Sequence, residues 1–262
     1  MAMTKAEKEA IKLLIIECLR RKFKTYKPKK KRVMPFHTRL LGKDRMALFS
    51  FIQSLNTTFG TVIYEPVAEK LAMGNFKEVE RGKKSESVIS KGAKRVIEKI
   101  KDDLEQTKIN PNQKEEVEKI RKVCRTGGSV SIKLRKADIY LVKRNNWHYP
   151  IDIKTVKPNV DGFEKYKENI LKWTASVLYQ HPKANVGAML ALPYNPDHPG
   201  PYKHWTMRGM VEKNTQIKVG EQFWNFLAGK PVYDDLLDCF ERAGIEMCDE
   251  IDEYFEQFRG NN

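Results

Sequence analysis

Two short apolar runs flanking a polar turn constrain this chain more than anything else in it. Lys133 to Lys157 reads KLRKADIYLVKRNNWHYPIDIKTVK. Ile139, Tyr140, Leu141 and Val142 predict one strand. Tyr149, Ile151 and Ile153, alternating with Pro150, Asp152 and Lys154, predict a second, with a tight turn at Asn145-Asn146. Strand side chains alternate between faces, so Asp152 and Lys154 share one face, about 7 Å apart, while Ile151 and Ile153 turn to the core. Asp138 precedes the apolar part of the first strand, so two carboxylates and one amine can converge on one sheet face. Register decides whether they do. A symmetric two-residue turn sets Asp138 opposite Ile153, on the wrong face. Convergence therefore requires an odd loop count or a bulge, pairing Asp138 with Asp152 or Lys154.

An Asp-x-Lys on a strand is by itself an ordinary solvated edge, and the upstream Asp138 is what makes it a site candidate. Two carboxylates suit a hard cation such as Mg²⁺, which takes oxygen ligands and keeps several waters. Asp138, Asp152 and the backbone carbonyl of Ile153 are the expected metal ligands. Lys154 is expected beside the metal-bound water, where it offsets phosphate charge, and the chemistry expected is metal-assisted phosphodiester hydrolysis.

Charge supports a polyanionic partner. The 262 residues carry 49 Lys/Arg against 34 Asp/Glu, a net charge of +15. Residues 1–50 hold 15 basic against 4 acidic side chains, whereas residues 231–262 hold 2 against 10. The basic block, with TYKPKKKRV at Thr25 to Val33, reads as a solvated loop that contacts phosphate or has no specific role. The same letters resemble a nuclear localisation signal, but a nuclease reading makes that the less favoured use. The acidic end predicts packing on basic surface elsewhere in the chain. Cys18, Cys124, Cys239 and Cys248 are scattered, without zinc spacing, and Cys18 and Cys239 fall in apolar helical patterns as core thiols. No run approaches the roughly 18 apolar residues of a membrane span, and no signal peptide is evident, so a soluble intracellular protein is expected.

The rest of the chain supplies helices and a few strands. Lys5 to Phe23 predicts a helix with Ile11, Leu14, Ile15, Cys18 and Leu19 as one stripe, equally suited to a core or a dimer contact. A helix over Lys43 to Leu55 turns Met46, Phe49, Ile52 and Leu55 inward, and Thr57 to Gly60 breaks it. A third runs from Thr61 to Met73. Asn75 to Ser90 reads as surface, Lys91 to Leu104 and Gln113 to Val123 as helices, and Thr126 to Ser129 as a turn into the sheet. Asp161 caps a helix over Gly162 to Tyr179, on which Lys165 and Lys172 are within reach of a phosphate. Ala184 to Leu192 reads as a buried strand, Pro193 to Lys203 as a loop and Trp205 to Val211 as an edge strand. Helices are expected over Glu221 to Ala228 and Tyr233 to Phe258, the latter split at Gly244. Strand, helix, strand in this order implies a crossover and a mixed sheet.

Four stretches carry a resemblance to a known family. Asp152-Ile153-Lys154, with Ala137-Asp138 upstream, looks like the D-x-K and "PD" of the PD-(D/E)XK nucleases, alanine replacing the proline. His37 to Gly42, Ser54 to Gly60, Asp152 to Asn159 and the segment from Phe223-Trp224 through Leu237 together resemble the TdeIII/MjaII-like type II restriction endonucleases. The resemblance implies an α/β fold with a mixed central sheet flanked by helices and a helical N-terminal extension. It is divided here as a basic extension (1–33), a catalytic core (34–240) and an acidic tail (241–262). It implies Mg²⁺, with Mn²⁺ able to substitute, and an early-helix glutamate at the metal, for which Glu65 is the candidate and Glu69 the second. It further implies a homodimer cutting both strands of double-stranded DNA at a short palindrome, GGNCC-type sites being among those the family cuts. A cognate DNA methyltransferase and a prokaryotic cytoplasm complete the picture, with no membrane association. Lys30, Lys31, Arg32, Arg39, Arg45, Asn195, Lys203 and Arg208 are the candidate DNA contacts, since guanine in the major groove favours Arg or Lys. Two other classes fit the basic block or the fold: a non-catalytic nucleic-acid-binding protein, and a repair or structure-specific nuclease.

Overall fold

The computed structural model describes residues 2–25, 34–84, 86–154, 163–203 and 209–259. Along the chain run α1 (Lys5–Thr25), α2 (Pro35–Leu41), α3 (Lys43–Thr58), a π-helical stretch (Phe59–Tyr64) and α4 (Glu65–Ala72). Strands β1 (Glu78–Arg81) and β2 (Val88–Ser90) precede α5 (Lys91–Glu105) and α6 (Gln113–Arg121). Then come β3 (Ser129–Ser131), β4 (Ile139–Val142), β5 (Trp147–Ile153) and α7 (Phe163–Gln180). The chain closes with β6 (Asn185–Val186), β7 (Met189–Leu192), β8 (Ile217–Val219), α8 (Glu221–Ala228), α9 (Tyr233–Glu246) and α10 (Cys248–Arg259). The chain divides into two compact units, residues 1–67 with 231–262, and residues 68–230.

In the first unit the basic N-terminus meets the acidic C-terminal end, as the charge asymmetry predicts. Helix α1 lies along α9, joined by Lys8–Asp235 at 2.6 Å and Arg242–Glu9 at 3.1 Å. Lys12–Glu246 and Arg20–Glu250, both 2.7 Å, extend the seam to the following residues. Ile11, Ile15, Ile16, Cys18 and Leu19 are buried, so the α1 stripe is core. Cys18 and Cys239 are buried thiols, as their apolar helical patterns predict.

Helix α3 departs from expectation in its orientation. Met46 is buried, but Phe49 and Ile52 are 53% and 46% exposed, because the seat for this helix is aromatic and lies elsewhere on its circumference. Ala47 and Phe51 pack with Tyr254 and Phe258 of α10, while Phe23 stacks on Tyr254 at 4.2 Å. Nor does the helix break at Thr57 to Gly60. It runs on through the π-helical stretch into α4, where Phe59 packs on Tyr64 and Phe240 at 5.6 and 6.3 Å, tertiary contact overriding weak local propensity. By length and composition, this stretch from Lys43 to Ala72 is the one described helix apolar enough to cross a membrane. Ala47, Phe51, Ile63 and Val67 within it are buried in the protein. The C-terminal helices part at buried Met247, not at Gly244.

The second unit contains the expected mixed sheet flanked by helices, with strand order β1-β4-β5-β7-β8 and β6 beside β5. β1, β4 and β5 are antiparallel, whereas β5, β7 and β8 are parallel, with α7 as the crossover between β5 and β7. Buried Ile170, Trp173 and Leu178 of α7 join Tyr140, Val142, Leu190 and Leu192 in its main core. Four expectations are corrected here. Asn75 to Ser90 is not merely surface, since it supplies the edge strand β1, whose exposed Glu78, Glu80 and Arg81 disguise it, as charges on sheet edges do. The turn before Ser129 feeds β3, which pairs with β2 outside the main sheet. The apolar run at 184–192 is two strands, parted where Gly187 passes the Tyr149 ring so closely that a Cβ would stand 2.5 Å from it. The outer strand is β8. Residues 209–211 of the expected edge strand form a turn and 204–208, with Arg208, lie outside the described residues.

Candidate active site

The hairpin β4–β5 settles the register. Ile139 faces Ile151, Tyr140 faces Pro150, and Val142 faces His148. Lys143 N–H donates to the Trp147 carbonyl at 2.9 Å, leaving Arg144, Asn145 and Asn146 as a three-residue loop. Asn146 takes the left-handed conformation, φ +61°, which asparagine tolerates better than most residues. The loop count is odd, as convergence requires. One step beyond the last paired residue, Asp138 stands abreast of Asp152.

Backbone hydrogen bonds fix this corner from both sides. Asp138 N–H donates to the Ile151 carbonyl at 2.9 Å, and Asp138 Oδ2 accepts from Ile153 N–H at 2.7 Å. On the far side of β5, Lys154 N–H donates to the Ala191 carbonyl of β7 at 2.9 Å. A strand residue's N–H and C=O point toward the same neighbour. The Ile153 carbonyl is therefore directed to the side on which Asp138 lies.

The side chains form a compact polar group. Lys154 Nζ donates to Asp152 Oδ1 at 2.7 Å. Asp152 is 1% exposed, and its Oδ2 has no hydrogen-bond partner; Arg135 Nη1 stands 3.9 Å from it. A buried carboxylate oxygen left without a partner is costly, and such an orphan calls for an explanation such as an ion. Burial first, and then the adjacent Asp152, push the Asp138 carboxyl up to about 7, against the pull of Ile153 N–H and Lys154. The Tyr166 ring of α7 lies 5.6 Å from Lys154 Nζ. Two carboxylates that repel each other, one with an unused oxygen, fit a divalent cation and are poorly served by protein groups alone.

The other expected residues fall less tightly. Glu65 opens α4 in the first unit. Glu69, one turn on, ion-pairs with Arg81 at 3.5 Å. Among the described residues no three Asp, Glu, His or Cys side chains form a metal-holding cluster. Lys30, Lys31 and Arg32, like Asp161 and Arg208, lie outside the described residues. Arg39 and Arg45 are exposed on α2 and α3, and Arg45 donates to the Leu41 carbonyl at 3.0 Å. Asn195 is occupied within its own loop, donating to the Gly200 carbonyl at 2.8 Å and accepting from Asp197 N–H at 3.0 Å. Lys203 is exposed at the end of that loop. Sequence reasoning missed Arg135 and Tyr166 as neighbours of the site. Neither lies on the strand alternation that links Asp138, Asp152 and Lys154, so nothing local marks them.

Comparison with known proteins places this geometry in context. A family profile described as type II restriction endonuclease, HinfI, matches residues 3–244. Over 257 residues the chain is 26% identical to the type II restriction enzyme MjaII of Methanocaldococcus jannaschii, covering 88% of this chain and 68% of that one. It is 22% identical over 221 residues to the type II restriction enzyme HgiCII of Herpetosiphon aurantiacus, covering 83% and 80%. The HgiEI enzyme of the same organism is 21% identical over 83% and 79%.

Proposed function

Because the chain belongs to the HinfI family of type II restriction endonucleases, we propose that it cuts both strands of duplex DNA at a short palindrome, with Asp138, Asp152 and Lys154 as its catalytic residues. The observation that carries this reading is the orphaned, buried Oδ2 of Asp152 next to Asp138, with Lys154 2.7 Å from the other oxygen. Asp138, Asp152 and the Ile153 carbonyl would hold Mg²⁺, or Mn²⁺ in its place. Bound there, the cation supplies charge neutralisation and an acidified water. Glu65 is the candidate for a further carboxylate.

The chain's own groups do the rest. Asp138 releases its proton as a cation is taken up. Lys154, whose Nζ lies 5.6 Å from the Tyr166 ring, meets the charge that builds on the phosphate as the P–O bond breaks. Ile153 N–H holds Asp138 in place, so the pair is oriented before substrate arrives. A GGNCC-type palindrome and a homodimer with one site per strand follow from the family resemblance and from one constellation per chain. Arg39, Arg45 and Lys203 are the described candidates for DNA contact. The protein acts in a prokaryotic cytoplasm beside a cognate methyltransferase.

Incubation of phage DNA with Mg²⁺ tests the reading. The wild-type chain yields discrete fragments. D138A, D152A and K154A each cut at least about a thousand-fold more slowly, yet bind DNA in Ca²⁺. E65Q with cleavage and Ca²⁺ binding both unchanged removes Glu65 from the site. D152A cutting at the normal rate, or cleavage that depends on branches rather than on sequence, overturns the assignment.

A further inference from the structure

We propose that Lys133, Arg135 and Lys136, in the extended segment leading into β4, contact the phosphates of the DNA strand being cut. The inference rests on the nuclease reading above and adds where the backbone of the substrate is held.

Charge is the first argument. Residues 1–67 and 231–262 together hold 17 Lys/Arg against 15 Asp/Glu, so the N-terminal basic block is nearly balanced within its own unit by the acidic end. Residues 68–230 hold 32 against 19 and carry almost all of the net charge. Many cations in this second unit are paired: Lys83 with Glu80, Lys99 with Asp103, Lys101 and Lys172 with Glu168, Arg121 with Glu118, and Lys167 with Glu116. Lys133 and Lys136 are exposed, and neither pairs with an acidic side chain among the described residues. Arg135 is half exposed and, among the described residues, approaches an acid only at Asp152 Oδ2, 3.9 Å away, inside the candidate active site.

Rigidity is the second argument. The segment lies outside the sheet, yet its backbone is tied on two sides. Ile132 N–H donates to the Ser87 carbonyl at 2.7 Å, and Ala137 N–H to the Lys83 carbonyl at 3.2 Å. From α7, Trp173 Nε1 donates to the Arg135 carbonyl at 2.7 Å and Lys172 Nζ to the Lys133 carbonyl at 3.3 Å. Ile132 and Leu134 pack against the core while Lys133 and Arg135 face out, a period of two in an extended segment. Exposed cations on a fixed backbone beside a nuclease site form a pre-ordered phosphate contact, because the main chain gives up little further freedom on binding.

The test is the salt dependence of duplex binding in Ca²⁺, which blocks turnover. The log–log slope flattens by about 0.9 for every phosphate that the protein no longer neutralises. K133Q/R135Q/K136Q therefore lowers the slope by about 2 to 3 and weakens cognate and non-cognate duplexes alike, by about ten-fold or more near 0.1 M salt. K94Q/K114Q/K122Q removes the same charge from exposed lysines on α5, α6 and the turn that follows, and leaves the slope as in wild type. An unchanged slope in the first variant, or an equal fall in both, overturns the proposal while the nuclease reading stands. A wild-type chain that neither binds nor cuts DNA overturns both. Melting curves matching wild type show that each variant is folded.

Discussion

Asp138 and Asp152 occupy one corner on unequal terms. Asp152 has Lys154 hydrogen-bonded at one oxygen and only the Arg135 guanidinium, 3.9 Å away, at the other, whereas Asp138 commits Oδ2 to the Ile153 amide and is itself pushed up to about 7. The sign of the pH effect follows. Between its unfolded value of 3.8 and about 7, Asp138 holds more proton folded than unfolded, so its contribution to stability without metal falls as pH rises through that window. D138N removes that liability. It should stabilise the metal-free protein at pH 8 by on the order of 1–2 kcal/mol, after discounting for solvent screening, and add little at pH 4. Thermal melts at the two pH values check this. Cation uptake needs the ionised carboxyl, so wild-type cleavage should rise about ten-fold per unit below pH 7 and level off above it, as a pH–rate profile would read. The sequence marks which residues are acidic and basic, and alternation puts Asp152 and Lys154 together. Depth of burial, which raises Asp138 and orphans Asp152 Oδ2, comes from what packs around them.

At the scale of elements, the loop of the β4–β5 hairpin sets the register that the proposed site depends on. Three residues bring Asp138 to Asp152; two bring it to Ile153 and to the other face. Deleting Asn145 should abolish cleavage while circular dichroism stays close to wild type, and retained cleavage would mean that the hairpin re-pairs or that Asp138 is dispensable. N146A should cost about 1–2 kcal/mol, because alanine is strained at a left-handed φ, and N146G less. The apolar strands β4 and β7 were legible from their letters, because burial on both faces selects aliphatic side chains, and β5 from its alternation. β1 was not. A strand that hydrogen-bonds on one side and meets water on the other needs no apolar text, and Glu-Val-Glu-Arg supplies none. Helix positions were legible while faces were not, as α3 shows. Phe49 and Ile52 share a helical spacing with buried residues, but the seat offered by Tyr254 and Phe258 admits Ala47 and Phe51 instead.

At the scale of the molecule, the proposed site on each chain and the proposed palindromic target together imply two chains per duplex. Sedimentation with a cognate duplex in Ca²⁺ should give that stoichiometry; a single chain per duplex that still cuts both strands within one binding event would exclude it. Charge must be read at this scale as well. In sequence, the N-terminal fifty residues are the most basic part of the chain; folded, α1 sets Lys8, Lys12 and Arg20 against acids of the C-terminal end, and by composition most of the net charge falls to residues 68–230. The sequence by itself determined the family, the strand pair and the identity of the three polar side chains, because these depend on residue type and on spacing along the chain. Only the tertiary structure decided the register, the depth at which the carboxylates lie and which cations stay free. Those depend on contacts between segments distant in sequence, where packing and pairing override local preference.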